Sequence, residues 1–266
     1  MEIDMTYDFV EHKFAPSDRP KCFALSVHKS GSTLMHNMIK QVCIKSKIPF
    51  CDIPVPMFNK GIADHIWNND PSLRMLIKDG YIYLGFRRLP VILTTEINES
   101  ATKSVLLVRD PRDALVSQYF SFKPGGSHAV PKENSEKFVT KKLNQKDLTI
   151  DEYVLKKAAL LLTKLTEYKD NLNFSNLKLF KYEDIFFDKY IFLKAIFEHF
   201  NIAVEDVILQ DVAKKNDIVP KKEDTSKHIR KGTPGDYKDK LTQDTIEKLN
   251  FQFNDVALFY GYDLLS

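Results

Sequence analysis

Residues 22–34 read Cys-Phe-Ala-Leu-Ser-Val-His-Lys-Ser-Gly-Ser-Thr-Leu: an apolar run that stops at a short polar turn and passes into a helical pattern. A buried strand that feeds a helix through so tight a turn constrains the chain to a sheet whose strands are joined by crossing helices. The turn itself has the chemistry of an anion cradle. A helix N-terminus presents unpaired N–H groups and the positive end of the macrodipole. Gly31 has no Cβ to keep the backbone at a distance, while Ser30, Ser32 and Thr33 add hydroxyl donors and Lys29 adds a mobile point charge. In the usual phosphate loop, G-x-x-x-x-G-K-[ST], the lysine follows the last glycine. Here Lys29 precedes Gly31 and no earlier glycine opens the loop. An ordinary capped helix with Ser30 or Ser32 as N-cap would use the same residues.

A second strand-like run, Ser104 to Arg109, is followed at once by Asp110-Pro111-Arg112-Asp113-Ala114-Leu115-Val116-Ser117. Asp110 suits a helix N-cap and Pro111 its first turn, which sets Arg109 at the helix mouth and Ser117 two turns along. An arginine at a strand end offers a planar fork to a phosphate. The alternative is a surface cluster of Arg109, Asp110, Arg112 and Asp113.

Lys-Ser-Gly-Ser-Thr after one strand and Arg-x-x-x-Asp-x-x-x-Ser after a later one together resemble the cofactor signature of the sulfotransferases that use 3′-phosphoadenosine 5′-phosphosulfate (PAPS). The resemblance implies that Lys29, Ser30, Gly31, Ser32 and Thr33 grip the 5′-phosphosulfate and that Arg109 and Ser117 grip the 3′-phosphate. Two later segments are similar to the family's in the same order. Leu177 to Asp184 looks like its strand ending in Tyr-Glu-Asp, which implies Tyr182 near the adenine. Arg230-Lys231-Gly232 with the trailing Gly-Asp-Tyr-Lys looks like its Arg-Lys-Gly loop, which implies a second clasp on the 3′-phosphate. Lys29 is then the expected catalytic residue, adenosine 3′,5′-bisphosphate the product, and no metal is needed.

The chain also departs from that pattern. Leu34 stands where an aromatic ring commonly covers the adenine, and residues 211–216 offer no second stacking phenylalanine. Many cytosolic members carry a His-Leu-Pro whose histidine is the base, whereas this chain reads Arg87-Arg88-Leu89-Pro90. Arginine stays protonated and cannot take a proton. Asp52, Asp64, His65, Asp70, Glu96 and His128 remain as candidate bases, His65 by its intrinsic pKa and Asp52 by an apolar setting that could raise its own.

The 266 residues suit one large α/β domain, taken as 1–266, with a P-loop-like central parallel sheet flanked by helices. A net charge of +3 accommodates an anionic cofactor and is too small to argue for nucleic acid. Cys22, Cys43 and Cys51 have no metal-ligand spacing and read as reduced thiols. No signal-peptide pattern opens the chain and no apolar run is long enough for a membrane span, so a cytoplasmic protein with a small-molecule acceptor, such as a specialised metabolite, is expected. The polar segment 123–146 reads as a lid over the acceptor site. Segment 238–247 resembles the family's dimerisation motif with Gln243 in place of valine, which makes a homodimer one reading and a helix capped by Thr242 the other. A P-loop kinase or NTPase-like enzyme, favoured by the strand, turn and helix, and a catalytically inactive nucleotide-binding module, favoured by Arg88, stand as rivals.

Overall fold

Strand β2, Cys22–Ser26, is buried at every residue, and its side chains divide between two cores. Phe23 and Leu25 join one apolar cluster while Cys22 and Ala24 join the other, as the two-residue strand period requires. The computed structural model describes residues 7–123, 125–133, 135–136, 140, 147–218, 220, 223–224, 230–231 and 233–265. Its sheet comprises β1 (His12–Lys13), β2, β3 (Phe50–Asp52), β4 (Ile82–Phe86), β5 (Lys103–Val108) and β6 (Leu177–Lys181) in the order β1-β3-β4-β2-β5-β6. Every pairing is parallel except that of β1 with β3. This is the single α/β domain that the alternation of apolar runs and helical patterns predicts.

The described helices are α1 (Ser32–Lys45), α2 (Pro54–Asn59), α3 (Asp64–Trp67), α4 (Thr94–Asn98), α5 (Pro111–Phe122), α6 (Ile150–Asn171), α7 (Tyr182–Phe187), α8 (Lys189–His199), α9 (Asp206–Asn216), α10 (Tyr237–Lys240) and α11 (Gln243–Phe259). Buried residues of α1, α8 and α9 cover one face of the sheet, and those of α5, α6 and α11 the other. Burying each such Leu, Ile or Phe is worth about 1.5–3 kcal/mol, so both faces hold the strands in register.

Local chemistry sets the helix starts near the strand ends. Asp110 caps α5, its side chain accepting from the Arg112 N–H, and Pro111 occupies the first turn, as the sequence predicts. Thr149 and Glu152 form a reciprocal capping box on α6. Thr242 caps α11 by accepting from the Thr245 N–H, which is the capped-helix reading of segment 238–247. The carboxyl ends of the parallel strands β2, β4, β5 and β6 open on one side of the sheet, and β6 runs straight into α7 at Tyr182.

Candidate active site

The turn after β2 is held in the ladder by Val27, whose N–H donates to the Leu107 carbonyl at 3.0 Å, and closes on itself where the Ser30 N–H donates to the Val27 carbonyl at 3.2 Å. Both Lys29 (φ +70°) and Gly31 (φ +85°) are left-handed. For a non-glycine residue such as Lys29 that conformation costs about 1–3 kcal/mol. Gly31, rather than Ser30 or Ser32, occupies the N-cap of α1, and no side chain caps the helix. The first-turn amides are thus left for an outside acceptor. Ser30 Oγ is buried with no hydrogen-bond partner among the described residues. Lys29 has no carboxylate partner among them, and burial together with Arg87, Arg109 and Arg230 pushes its pKa down to about 7.

The charged run after β5 is not a surface cluster: Arg109, Asp110, Arg112 and Asp113 are all buried. Arg112 forms a fork on Asp110 (3.0 and 2.7 Å) and also reaches Asn250 at 2.8 Å. Arg109 takes the other direction. Its guanidinium donates to Asp113 at 3.3 Å and lies over the Tyr182 ring, 4.4 Å from the centroid, while its Nε has no partner among the described residues. Tyr182 in turn lies against Gly31, where a Cβ would come within 2.5 Å of the ring. Arg109 therefore reaches the Gly31 loop through one ring. Glu183 secures this arrangement, accepting from the Asp110 N–H at 3.0 Å and from the Tyr262 hydroxyl at 2.6 Å.

Asp113 brings in the later loop. Besides Arg109, it accepts from the N–H groups of Gly235 (2.7 Å) and Tyr237 (2.9 Å). Arg230 packs over the Phe120 ring at 4.2 Å and pairs with Glu223 and Asp236. Lys231 is held by Asp236 at 2.8 Å and Asp239 at 3.3 Å. Gly232 lies outside the described residues, as do 124, 134, 137–139 and 141–146 of the expected lid. Ser32 is buried at the start of α1, Thr33 accepts a hydrogen bond from Arg87 at 3.2 Å, and Ser117 sits half-buried on α5 with no hydrogen bond to Lys29 among the described residues.

Most of the candidate bases are committed elsewhere. Asp52 accepts from His36 (3.2 Å), Lys40 (3.5 Å) and the Val55 N–H (3.3 Å), and these partners hold its carboxyl below the ordinary value, not above it. Glu96 pairs with Arg74, Asp70 caps the 3-10 turn Pro71–Leu76, and Asp64 and His65 are exposed. Arg88 forms a two-pronged pair with Glu167 of α6, at 2.9 and 2.5 Å. His128 alone of these six adjoins the loop, 6.2 Å from the ring of His28. Sequence reasoning assigned nothing to Arg87 or His28. Their positions at the carboxyl ends of β4 and β2 were the available signal.

The sulfotransferase domain family matches this chain over residues 19–257. The protein belongs to the sulfotransferase family. Solved structures with the same fold include mouse sulfotransferase SULT7A1 complexed with PAP, at a TM-score of 0.59 and 16% identity, covering 91% of this chain and 85% of that one. Another is retinol dehydratase in a complex with retinol and PAP, at 0.50 and 15%, covering 91% and 82%. No curated protein sequence matches the chain. Among its described residues, this sulfotransferase has no helix long and apolar enough to cross a membrane and no cluster of His, Cys, Asp or Glu arranged to hold a metal.

Proposed function

We propose that this sulfotransferase moves a sulfuryl group from PAPS to a hydroxyl or amine of a small-molecule acceptor. The observation that carries the reading is the chain of contacts Gly31–Tyr182–Arg109–Asp113, which joins two anion-binding motifs some eighty residues apart to the loop at Gly235. The residues fit the cofactor: Ser30 Oγ and Arg109 Nε are buried donors with no partner among the described residues, and α1 starts without a side-chain cap. Lys29, Ser30, Gly31, Ser32 and Thr33 would hold the 5′ side, and Arg109, Ser117, Arg230, Lys231 and Gly232 the 3′ side, with Tyr182 between them.

When bound, PAPS supplies an activated sulfuryl group on a phosphate leaving group. The chain's task is to place positive charge where negative charge grows. Lys29 is suited to it because, free of any carboxylate among the described residues, its ammonium can follow a developing anion. Lys29 lies in the field of three arginines, Arg87, Arg109 and Arg230, so positive charge for the anion is supplied by side chains and turnover should survive chelation of metals with EDTA. The rings of His28, Phe58, Phe122 and His128 form an adjacent apolar wall against which an acceptor can lie.

Calorimetry tests the reading directly. Adenosine 3′,5′-bisphosphate should bind at least tenfold more tightly than adenosine 5′-phosphate, and mass spectrometry should find sulfated product from PAPS and a panel of small acceptors. Preference for magnesium ATP, with no sulfated product, would refute it. Three buried free thiols, Cys22, Cys43 and Cys51, support a reducing, cytoplasmic setting. A homodimer through segment 238–247 must cover Gln243 and Glu247, which are exposed and bonded to each other at 2.9 Å. Sedimentation as a monomer at micromolar concentration would end that idea.

A further inference from the structure

We propose that His28 is the general base of the transfer, an assignment that rests on the sulfotransferase reading above. The place that the family resemblance reserves for a basic histidine holds Arg88, which is locked on Glu167. His28 immediately precedes Lys29, and so lies one residue from the cation expected to face the leaving group. Its ring is half-buried and packs edge-on against Phe122 (5.9 Å) and His128 (6.2 Å). No hydrogen bond among the described residues engages its ring nitrogens, so a lone pair is available to an acceptor hydroxyl. His128 is placed differently. It stacks face to face on Phe122 at 3.9 Å and meets Phe58 edge-on at 6.2 Å, which makes it part of the wall behind His28.

The groups facing His28 are Lys29 beside it, Arg87 from the end of β4, Lys164 from α6 and His128 from the segment after α5. Burial and these charges hold its pKa well below the ordinary histidine value, so the imidazole is neutral and in its proton-accepting form at pH 7. An anion held by Lys29 offsets part of that field and strengthens the base when the nucleotide is in place. In the step itself, the acceptor hydroxyl gives its proton to a His28 ring nitrogen as its oxygen bonds to sulfur. The electron pair of the broken S–O bond leaves with adenosine 3′,5′-bisphosphate.

The test uses the full chain, PAPS with water and with a panel of phenols, aliphatic alcohols and amines, and adenosine 3′,5′-bisphosphate as binding probe. His28→Asn should bind the bisphosphate within about threefold of wild type yet lose turnover by roughly 10²–10⁴-fold, with the acid limb of the pH–rate profile flattened. His128→Asn, which alters the acceptor wall, should keep that limb whatever it does to acceptor KM. By NMR, the imidazole resonance absent from His28→Asn should titrate below the usual histidine range in the free protein and move upward on adding bisphosphate. Turnover of His28→Asn within threefold of wild type, or an acid limb lost in His128→Asn instead, overturns the proposal. If His28→Asn fails to bind bisphosphate, the wild-type titration decides, and a His28 ring indifferent to the nucleotide overturns it. A wild-type protein that binds bisphosphate but transfers to no probe also overturns it, whereas one that binds no bisphosphate brings down the sulfotransferase reading itself.

Discussion

The Arg109 guanidinium lies over the ring of Tyr182, 4.4 Å from its centroid, and the Cδ2–Cε2 edge of that ring fills the space that a Cβ on Gly31 would need. One side chain thus couples the loop after β2 to the end of β5. A planar cation on an aromatic face contributes about 0.5–2 kcal/mol.

Lys29→Ala should reduce turnover by at least about a thousandfold while weakening bisphosphate binding by no more than tenfold, if the ammonium acts on the transition state. Single-turnover kinetics beside calorimetry measures the two. Equal losses would make Lys29 a cofactor anchor only.

The depressed pKa of Lys29, about 7 against 10.5 for a free lysine, has a definite sign. Between those values the unfolded chain holds a proton that the folded protein lacks, so stability rises with pH across that window and the full penalty applies below it. Lys29→Met should therefore raise the Tm of the ligand-free protein at pH 7, by about 2–4 °C per kcal/mol recovered. Bisphosphate favours the ammonium, so its binding should weaken from pH 7 to pH 9 and take up a proton. Calorimetry in two buffers of different ionisation enthalpy would show this, and Lys29→Met should abolish it.

Replacing Arg109 by Ala removes charge-assisted hydrogen bonds worth about 1.5–3 kcal/mol. The expected result is a roughly 10- to 150-fold loss of affinity for adenosine 3′,5′-bisphosphate with little change for adenosine 5′-phosphate. If both nucleotides weaken equally, Arg109 does not read the 3′-phosphate.

Asp113 is 1% exposed and accepts from Arg109, Gly235 and Tyr237. Asp113→Ala would leave three donors without their acceptor, those of buried Arg109 and Tyr237 and of half-buried Gly235, at about 1–3 kcal/mol for each buried one. A loss of several kcal/mol in urea unfolding is expected, together with weaker bisphosphate binding because the loop at Gly235 loses its tether. An unchanged midpoint would contradict this assignment.

Arg88 should behave in the opposite way. Its pair with Glu167 is partly exposed, so Arg88→Met should cost about 1 kcal/mol or less and leave turnover within about threefold. Loss of activity in a stably folded Arg88 variant would return that position to the active site.

What the sequence determined by itself is local. Alternating buried strands, the Gly31 turn and the Asp110–Pro111 start of α5 follow from interactions among residues a few positions apart, which chain spacing encodes directly. The cap of α1 was the exception, since Gly31 rather than a serine took it and left Ser30 Oγ without a partner among the described residues. Only the tertiary structure decided which partner each of two adjacent arginines meets: Arg87 turns to Thr33 and Arg88 to Glu167 on α6. The same holds for His28 and His128, one hundred positions apart yet 6.2 Å ring to ring. Arg87 and Arg88 leave the end of β4 toward different partners, and each partner comes from a distant element that no local spacing specifies.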